Sequence, residues 1–278
     1  MSPIARQVHL TNCRTVGIGG GNGSSKTETA LVELLIRATG QIPLSLKGVY
    51  PREKLRGPIQ CRVVVESITT TLVNIILPKL QWWRWNGVST PGGDKGHWGW
   101  IPKHHLIAGE WSKSWSEKYR TLRLYYRDTD TGNILGESTI QFMSYDQDAE
   151  DFASGDYHFI LHDEPPKESI WNENLARVMR VDGTMFVAMT WPDDPAIPVD
   201  WLYELYEKAQ QHDPSIEWYN LVTTDNPNLN QTAIAERSAQ MSLTVRMARI
   251  YGQPIRMSNR VHPLFTDRTP HGALIALK

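Results

Sequence analysis

A short β-branched run, RTVGIG from Arg14 to Gly19, stops at three successive glycines, and SKTETALVELLIRATG then spaces its apolar residues at helical intervals. A strand that ends in a glycine-rich turn and re-emerges as a helix aims backbone N–H groups and a helix N-terminus at one spot, which suits an anion. The stretch GIGGGNGSSKTETA, Gly17 to Ala30, approaches the pattern G-x-x-x-x-G-K-[ST], in which the lysine adds a point charge and the hydroxyl reaches magnesium. Gly20, Lys26 and Thr27 fit, but Ser25 stands where the pattern has glycine. With that glycine waived, roughly one chain in ten this long carries the remainder by chance, so the strand and helix on either side decide the matter. A side chain at position 25 costs little if its φ is negative, because Gly19, Gly20, Gly21 and Gly23 can take any positive angles. Ser25 is therefore expected at negative φ, with its hydroxyl near phosphate. The candidate nucleotide-binding set is Gly20, Gly21, Asn22, Gly23, Ser24, Ser25, Lys26 and Thr27.

Downstream, CRVVVES (Cys61 to Ser67) reads as a buried strand and ITTTLVNIILPKL as a helix ending near Pro78. Residues 81–116 hold seven of the eleven tryptophans among scattered glycines without a clean period. They read as irregular, and a satellite hydrophobic cluster explains them better than base stacking. RLYYRDTDTGNILGESTIQFMSY predicts a hairpin turned by DTDTGN, and YHFILHDEPP a buried strand closed by two carboxylates and two prolines. ESIWNENLARVMR follows as a helix, then TMFVAMT as a buried strand running into WPDDP. Beyond Asp200, WLYELYEKAQQ, NQTAIAERSAQ and SLTVRMARIYG are amphipathic and predict a small helical sub-domain. The alternation argues for an α/β fold: a mainly parallel sheet, helices on both faces, and ligands at the carboxyl ends of strands.

Composition removes other classes. A chain of 278 residues with 40% hydrophobic and 21% charged content is globular and can bury a large core. No apolar run of about 18 residues could span a bilayer. The start, MSPIARQVHLTNCR, lacks a signal-peptide core, so a cytoplasmic chain is expected. Cys13 and Cys61 are too few and too far apart for a disulfide framework or a zinc site. His104 and His105 are adjacent, which is expected to point them apart and leave them a surface role. A net charge of −1 leaves any nucleic-acid contact to local patches. YPREKLRG and RMARIYGQPIRMSNR are the candidates, the second equally well explained as a solvated helix face.

A phosphate loop hydrolyses its ligand only with a metal-orienting carboxylate on another strand and a base beside it. FILHDE supplies both: Asp163 would hold a hydrated Mg²⁺ together with Thr27, and Glu164 would orient the attacking water or take its proton. A helix N-cap before PPKESI explains the pair equally well in isolation. Loop and pair together favour an Mg-dependent nucleotide hydrolase. Spacing alone makes Thr190 simply the end of a strand before Pro192.

In this order, GGGNGSSKTE, ATGQIP, SYDQDAEDFASG, FILHDEPP, TMFVAMTWPDD, DNPNLN and RIYGQPIRMSNRVHPLF resemble, over most of the chain, the large terminase subunit of tailed bacteriophages. That family is the ATPase that drives double-stranded DNA into an empty procapsid. The resemblance implies an additional-strand P-loop NTPase core over 1–199 and a helical lid sub-domain over 200–260. Residues 261–278 would open an RNase H-type nuclease whose carboxylates the chain does not reach, so nuclease activity is not expected. It further implies ATP and Mg²⁺ as cofactors, and DNA, portal protein and small terminase subunit as partners. A homo-oligomeric ring on the procapsid, no membrane, and residence in the host cytoplasm with transient docking at the portal vertex complete the expectation. Thr190 takes the place of the family's γ-phosphate sensor and joins Lys26 and Glu164 as a catalytic candidate. Many relatives carry arginines where this chain has Asn22 and within YDQDAEDFASGDYH. Arg120, Arg123, Arg127, Arg177 and Arg180 then become the candidates for transition-state charge. A helicase-like DNA-dependent ATPase and a non-hydrolysing nucleotide-binding scaffold are the alternatives.

Overall fold

The computed structural model describes residues 1–81, 84–90, 93–97, 99–192 and 199–254, with side chains described outside 82–98. Its strands are β1 (Thr15–Gly20), β2 (Gln60–Val65), β3 (Arg84–Thr90), β4 (Gly93–His97), β5 (Trp115–Ser116), β6 (Thr121–Arg127), β7 (Ile134–Ser144), β8 (Phe159–Asp163), β9 (Thr184–Met189) and β10 (Ile216–Leu221). The helices are α1 (Pro3–Leu10), α2 (Lys26–Thr39), α3 (Leu77–Leu80), α4 (Trp111–Ser114), α5 (Glu168–Met179), α6 (Asp200–Gln210), α7 (Gln231–Ala239) and α8 (Leu243–Arg249). A π-helical segment, Ile68–Ile76, leads into α3.

One sheet of eight strands runs in the order β10-β1-β9-β8-β2-β7-β6-β5. The six strands from β10 to β7 are parallel, and β6 and β5 add antiparallel at the far edge. Strand β9 lies between β1 and β8, the additional strand that separates the glycine loop from the acidic pair. Parallel strands buried on both faces need apolar side chains at every position, and the runs in β2, β8 and β9 supply them in alternation. Cys61, Val63, Phe159, Leu161, Phe186 and Ala188 pack with α1 and α2 on one face; Val64, Ile160, Met185 and Val187 pack with α5 and α6 on the other.

The structure departs from the sequence reading in several places. Residues Arg84–Thr90 and Gly93–His97, inside the stretch read as irregular, pair as an antiparallel hairpin. Of the tryptophans expected to form a satellite cluster, Trp111 and Trp115 pack on the main core and Trp100 is half exposed, while the side chains of Trp82, Trp83, Trp85 and Trp98 lie outside those described. The segment beyond Asp200, expected to be helical, also supplies edge strand β10 beside β1. In that register Gly17 lies opposite Trp218, and a Cβ on Gly17 would come within 2.1 Å of the indole. The first of the loop's glycines thus serves packing rather than phosphate. His105 is buried, not superficial, and both adjacent rings converge on the Gln41 side chain, at 3.0 Å from His104 and 2.6 Å from His105. The tight turn Lys103–His105 brings the two rings to one side. The WPDDP turn from Asp193 onward, the expected nuclease opening at 261–278 and the end of RMARIYGQPIRMSNR lie outside the described residues.

Candidate functional site

The loop after β1 enters α2 at Lys26, and the first helical hydrogen bond runs from the Thr29 N–H to the Ser25 carbonyl. The amides of Lys26, Thr27 and Glu28 therefore precede the helical ladder, where a helix leaves N–H groups for an anion. Ser25 adopts φ +69°, ψ 24°, which overturns the expectation of a negative angle. The turn needs a left-handed residue directly before the lysine, and the glycines do not relieve Ser25 of it. A side chain there costs about 1–2 kcal/mol. Ser24 is buried, and its hydroxyl has no hydrogen-bond partner among the described residues. An orphaned buried hydroxyl at the mouth of a helix N-terminus is the chemistry a phosphate oxygen would satisfy.

The acidic tip of β8 meets this loop across β9. Lys26 Nζ lies 3.1 Å from Glu164 Oε1, and Thr27 Oγ1 donates to Asp163 Oδ1 at 2.8 Å. Glu164 also adopts a left-handed angle, φ +71°. It is held there by its own N–H to the Ala188 carbonyl at 2.8 Å and by the Tyr145 hydroxyl to its carbonyl at 2.9 Å. The Thr190 N–H donates to Glu164 Oε2 at 2.9 Å, so the tip of β9 aims the carboxylate. Burial, reinforced by the neighbouring Glu164 charge, pushes the Asp163 carboxyl up to about 7, against the opposing pull of Thr27, Lys26 and Lys79. The N-cap reading of the acidic pair does not hold, because α5 starts after Lys167.

Not every candidate faces the same way. The Gly21 N–H donates to the Leu221 carbonyl at 3.3 Å and the Asn22 N–H to the Arg249 carbonyl at 2.8 Å, so this half of the loop is tied to β10 and α8. A Cβ on Gly21 would lie 2.3 Å from that same carbonyl. Asn226 Nδ2 donates to the Gly23 carbonyl at 2.7 Å and to Ser25 Oγ at 3.2 Å. The structure thus brings Ser24 to Thr27 together with Asp163, Glu164 and Thr190, and turns the amides of Gly21 and Asn22 towards the segments that follow. A cavity of ≈ 500 Å³ opens beside Ser24, Ser25, Glu28 and Thr29, walled by Trp100 and Asn226. A larger one of ≈ 640 Å³ lies at the opposite end of α2, around Gly40, Gln41 and Arg127, and none of the nucleotide-binding, metal-binding or catalytic candidates Gly20 to Thr27, Asp163, Glu164 and Thr190 lines it.

Sequence reasoning missed Lys79, which forms an ion pair with Glu28 on the first turn of α2 and acts electrostatically on Asp163. LPKL carries no motif, and only the fold of the π-helical segment brings this lysine to the site. Four of the five candidate arginines are bound elsewhere: Arg123 to Glu137, Arg127 to the His104 carbonyl, Arg177 to the Ala153 carbonyl and Arg180 to Asp156. The basic residues of YPREKLRG are likewise engaged internally, Arg52 with Asp130, Lys54 with Glu33 and Arg56 with Asp182. Among the described residues no helix is long and apolar enough to cross a membrane.

No protein-family model and no curated protein sequence matches the chain. Solved structures do. The large terminase ATPase domain of Thermus phage P74-26, in an arginine-to-alanine mutant form, superposes with a TM-score of 0.56 at 13% identity, covering 91% of this chain and 93% of that one. The large terminase of a thermophilic bacteriophage, in complex with ADP, gives a TM-score of 0.58 at 12% identity, over 91% of this chain and 53% of the other. Another crystal form of that thermophilic-phage protein gives 0.60 at 12% identity. The chain therefore spans about half the length of the ADP-bound terminase and nearly all of the P74-26 domain. Its mostly parallel eight-stranded sheet, with β9 between the glycine loop and the acidic pair, is the P-loop fold of phage large terminase ATPase domains.

Proposed function

We propose that this chain is the ATPase motor domain of a phage large terminase, hydrolysing ATP to drive double-stranded DNA into a procapsid. The observation that carries the reading is the 3.1 Å contact between Lys26 at the mouth of α2 and Glu164 at the tip of β8. A helix N-terminus, a lysine and a water-orienting carboxylate converge there, as phosphoryl transfer to water requires. The terminase folds, and the ADP held by the thermophilic-phage protein, support a nucleotide ligand.

In this reading the β- and γ-phosphates lie against the amides of Lys26 and Thr27 and the Ser24 hydroxyl, and compete with Glu164 for the Lys26 amine. Glu164, released from that ion pair but still held by the Thr190 N–H, orients the attacking water. Thr190 senses the γ-phosphate through this bond. Asp163 and Thr27 would hold Mg²⁺: both offer oxygen, and a buried carboxyl raised towards neutrality lacks the counter-charge that a divalent cation brings. When bound, the ion would neutralise charge on the phosphates. The cavity beside Glu28 and Trp100 has room for the rest of the nucleotide. Assembly into a ring on the portal, the small terminase subunit as partner, and a core over 1–199 with a lid over 200–260 that also lends β10 to the core sheet belong to the same proposal.

The test is phosphate release from Mg-ATP by the wild type, Lys26→Ala and Glu164→Gln. Both substitutions are expected to lower turnover by about 10²-fold or more. Wild-type rates in both would refute the assignment.

A further inference from the structure

We propose that Arg62, Asn174, His162 and Tyr145 form a buried one-way hydrogen-bond relay that positions Glu164; the idea rests on the reading of Glu164 as the water-orienting group. Glu164 is a non-glycine residue in a left-handed turn, so something must hold it. On the carbonyl side that is the Tyr145 hydroxyl, donating at 2.9 Å. Having given its proton to the carbonyl, this hydroxyl can only accept from His162 Nδ1, 3.3 Å away, which assigns the ring proton to Nδ1. His162 Nε2 is then bare and accepts from Asn174 Nδ2 at 3.4 Å. The Asn174 carbonyl oxygen in turn accepts from Arg62 Nη1 at 2.7 Å. Each donor leaves its neighbour one possible role, and every proton points towards Glu164.

Arg62 gives the chain its direction. It is fully buried, and its hydrogen-bond partners are neutral: Gln141 Oε1, the Phe152 and Ser154 carbonyls, the Tyr157 hydroxyl and Asn174. A guanidinium bonded to neutral acceptors polarises the hydrogen bonds leading away from it, and in a low-dielectric interior such bonds reinforce one another. His162 and Asn174 are completely buried and Tyr145 nearly so, which keeps water from replacing any link. Alternation explains the alignment: Arg62 on β2 and His162 on β8 both point to the face covered by α5, which carries Asn174. Mere satisfaction of buried polar groups would need the same partners but no link to Glu164 chemistry. Tyr145, His162 and Asn174 are thus positioning residues, acting through the Glu164 backbone.

Two measurements decide it. In Tyr145→Phe, which removes one oxygen, kcat for ATP is expected to fall about tenfold, with KM and the binding of ADP within about twofold of wild type. An unchanged kcat, or a rise in KM alone, overturns the proposal. Independently of activity, and open to test even if Tyr145→Phe does not fold, ¹⁵N NMR of the wild-type chain at pH 7 should show His162 as the neutral Nδ1–H tautomer. The Nε2–H tautomer or an imidazolium would overturn it. If the wild type releases no phosphate, the functional reading fails, whereas the NMR result still decides the relay.

Discussion

The two parts of helix α2 follow opposite rules. Its first turn opens from a left-handed Ser25 with no side-chain cap, and Lys26, Thr27 and Glu28 all pair with residues distant in sequence, Glu164, Asp163 and Lys79. Further along, Glu33 is fully buried and gathers His9, Arg37, Tyr50 and Lys54 around its carboxylate. Arg37 extends the cluster to Thr184 on β9, and Gly40 closes the helix with its N–H on the Ile36 carbonyl. These cations, led by Arg37, and the His9 hydrogen bond hold the Glu33 carboxyl well below the ordinary carboxylate range despite its burial. One part is strained and open to a ligand; the other is closed and fully paired. Strain at a functional turn persists only where its surroundings over-determine it, and here the body of the same helix supplies that anchorage.

The largest effect should come from breaking the anchorage. Glu33→Gln leaves Arg37 and Lys54 buried without their counter-charge, and loss of one partner of a buried ion pair typically costs about 3–5 kcal/mol. Urea unfolding reads it; a change under 1 kcal/mol, at the level of a surface ion pair, would mean the network does not anchor the helix.

At the end of α2 remote from the site, burial is the main cause that lowers the His105 imidazole to about 4. Unfolded, it titrates near 6.5. A group whose folded pKa is depressed contributes stability above the unfolded value and loses it as pH falls towards the folded one. Between pH 7 and pH 5 the wild type should lose about 2 kcal/mol through this group, and His105→Gln should lose correspondingly less. Identical pH slopes in the two melts would place the titration elsewhere.

Back at the first turn, Lys79→Ala is expected to lower turnover by the isolated chain about tenfold, roughly 1.4 kcal/mol. Alanine at Arg123, Arg127, Arg177 or Arg180 should leave that basal rate alone, because each is engaged away from the site. Should an arginine substitution abolish basal turnover while Lys79→Ala does nothing, the cation has been misassigned. Smallest of all is Ser25→Gly. It relieves the left-handed angle but frees the unfolded chain and loses the Asn226 bond, so stability should shift by no more than about 1 kcal/mol, with turnover retained.

The same contrast explains what was legible in the amino-acid order. The glycine loop, FILHDE and TMFVAMT announce themselves because parallel strands buried on both faces read as apolar runs, and their tips carry the chemistry. Strand β10 stayed hidden because IEWYNL lies at the sheet edge, where half-exposed positions need no apolar run. Helix α1 is only eight residues long and interrupted by Arg6 and Gln7, too short to declare a period. The left-handed angle of Ser25 escapes the sequence because a pattern records which residue is customary, not which φ the turn demands. Lys79, Tyr145 and Asn226 reach the site through contacts spanning 19 to 203 residues, which no local spacing encodes.

The most direct test of the central claim is equilibrium binding and single turnover of Mg-ATP by Glu164→Gln beside Lys26→Ala. The account predicts that Glu164→Gln binds ATP at least as tightly as wild type and leaves it uncleaved, while Lys26→Ala loses most of the binding. Cleavage at the wild-type rate by Glu164→Gln, or equal affinity in Lys26→Ala, would contradict it.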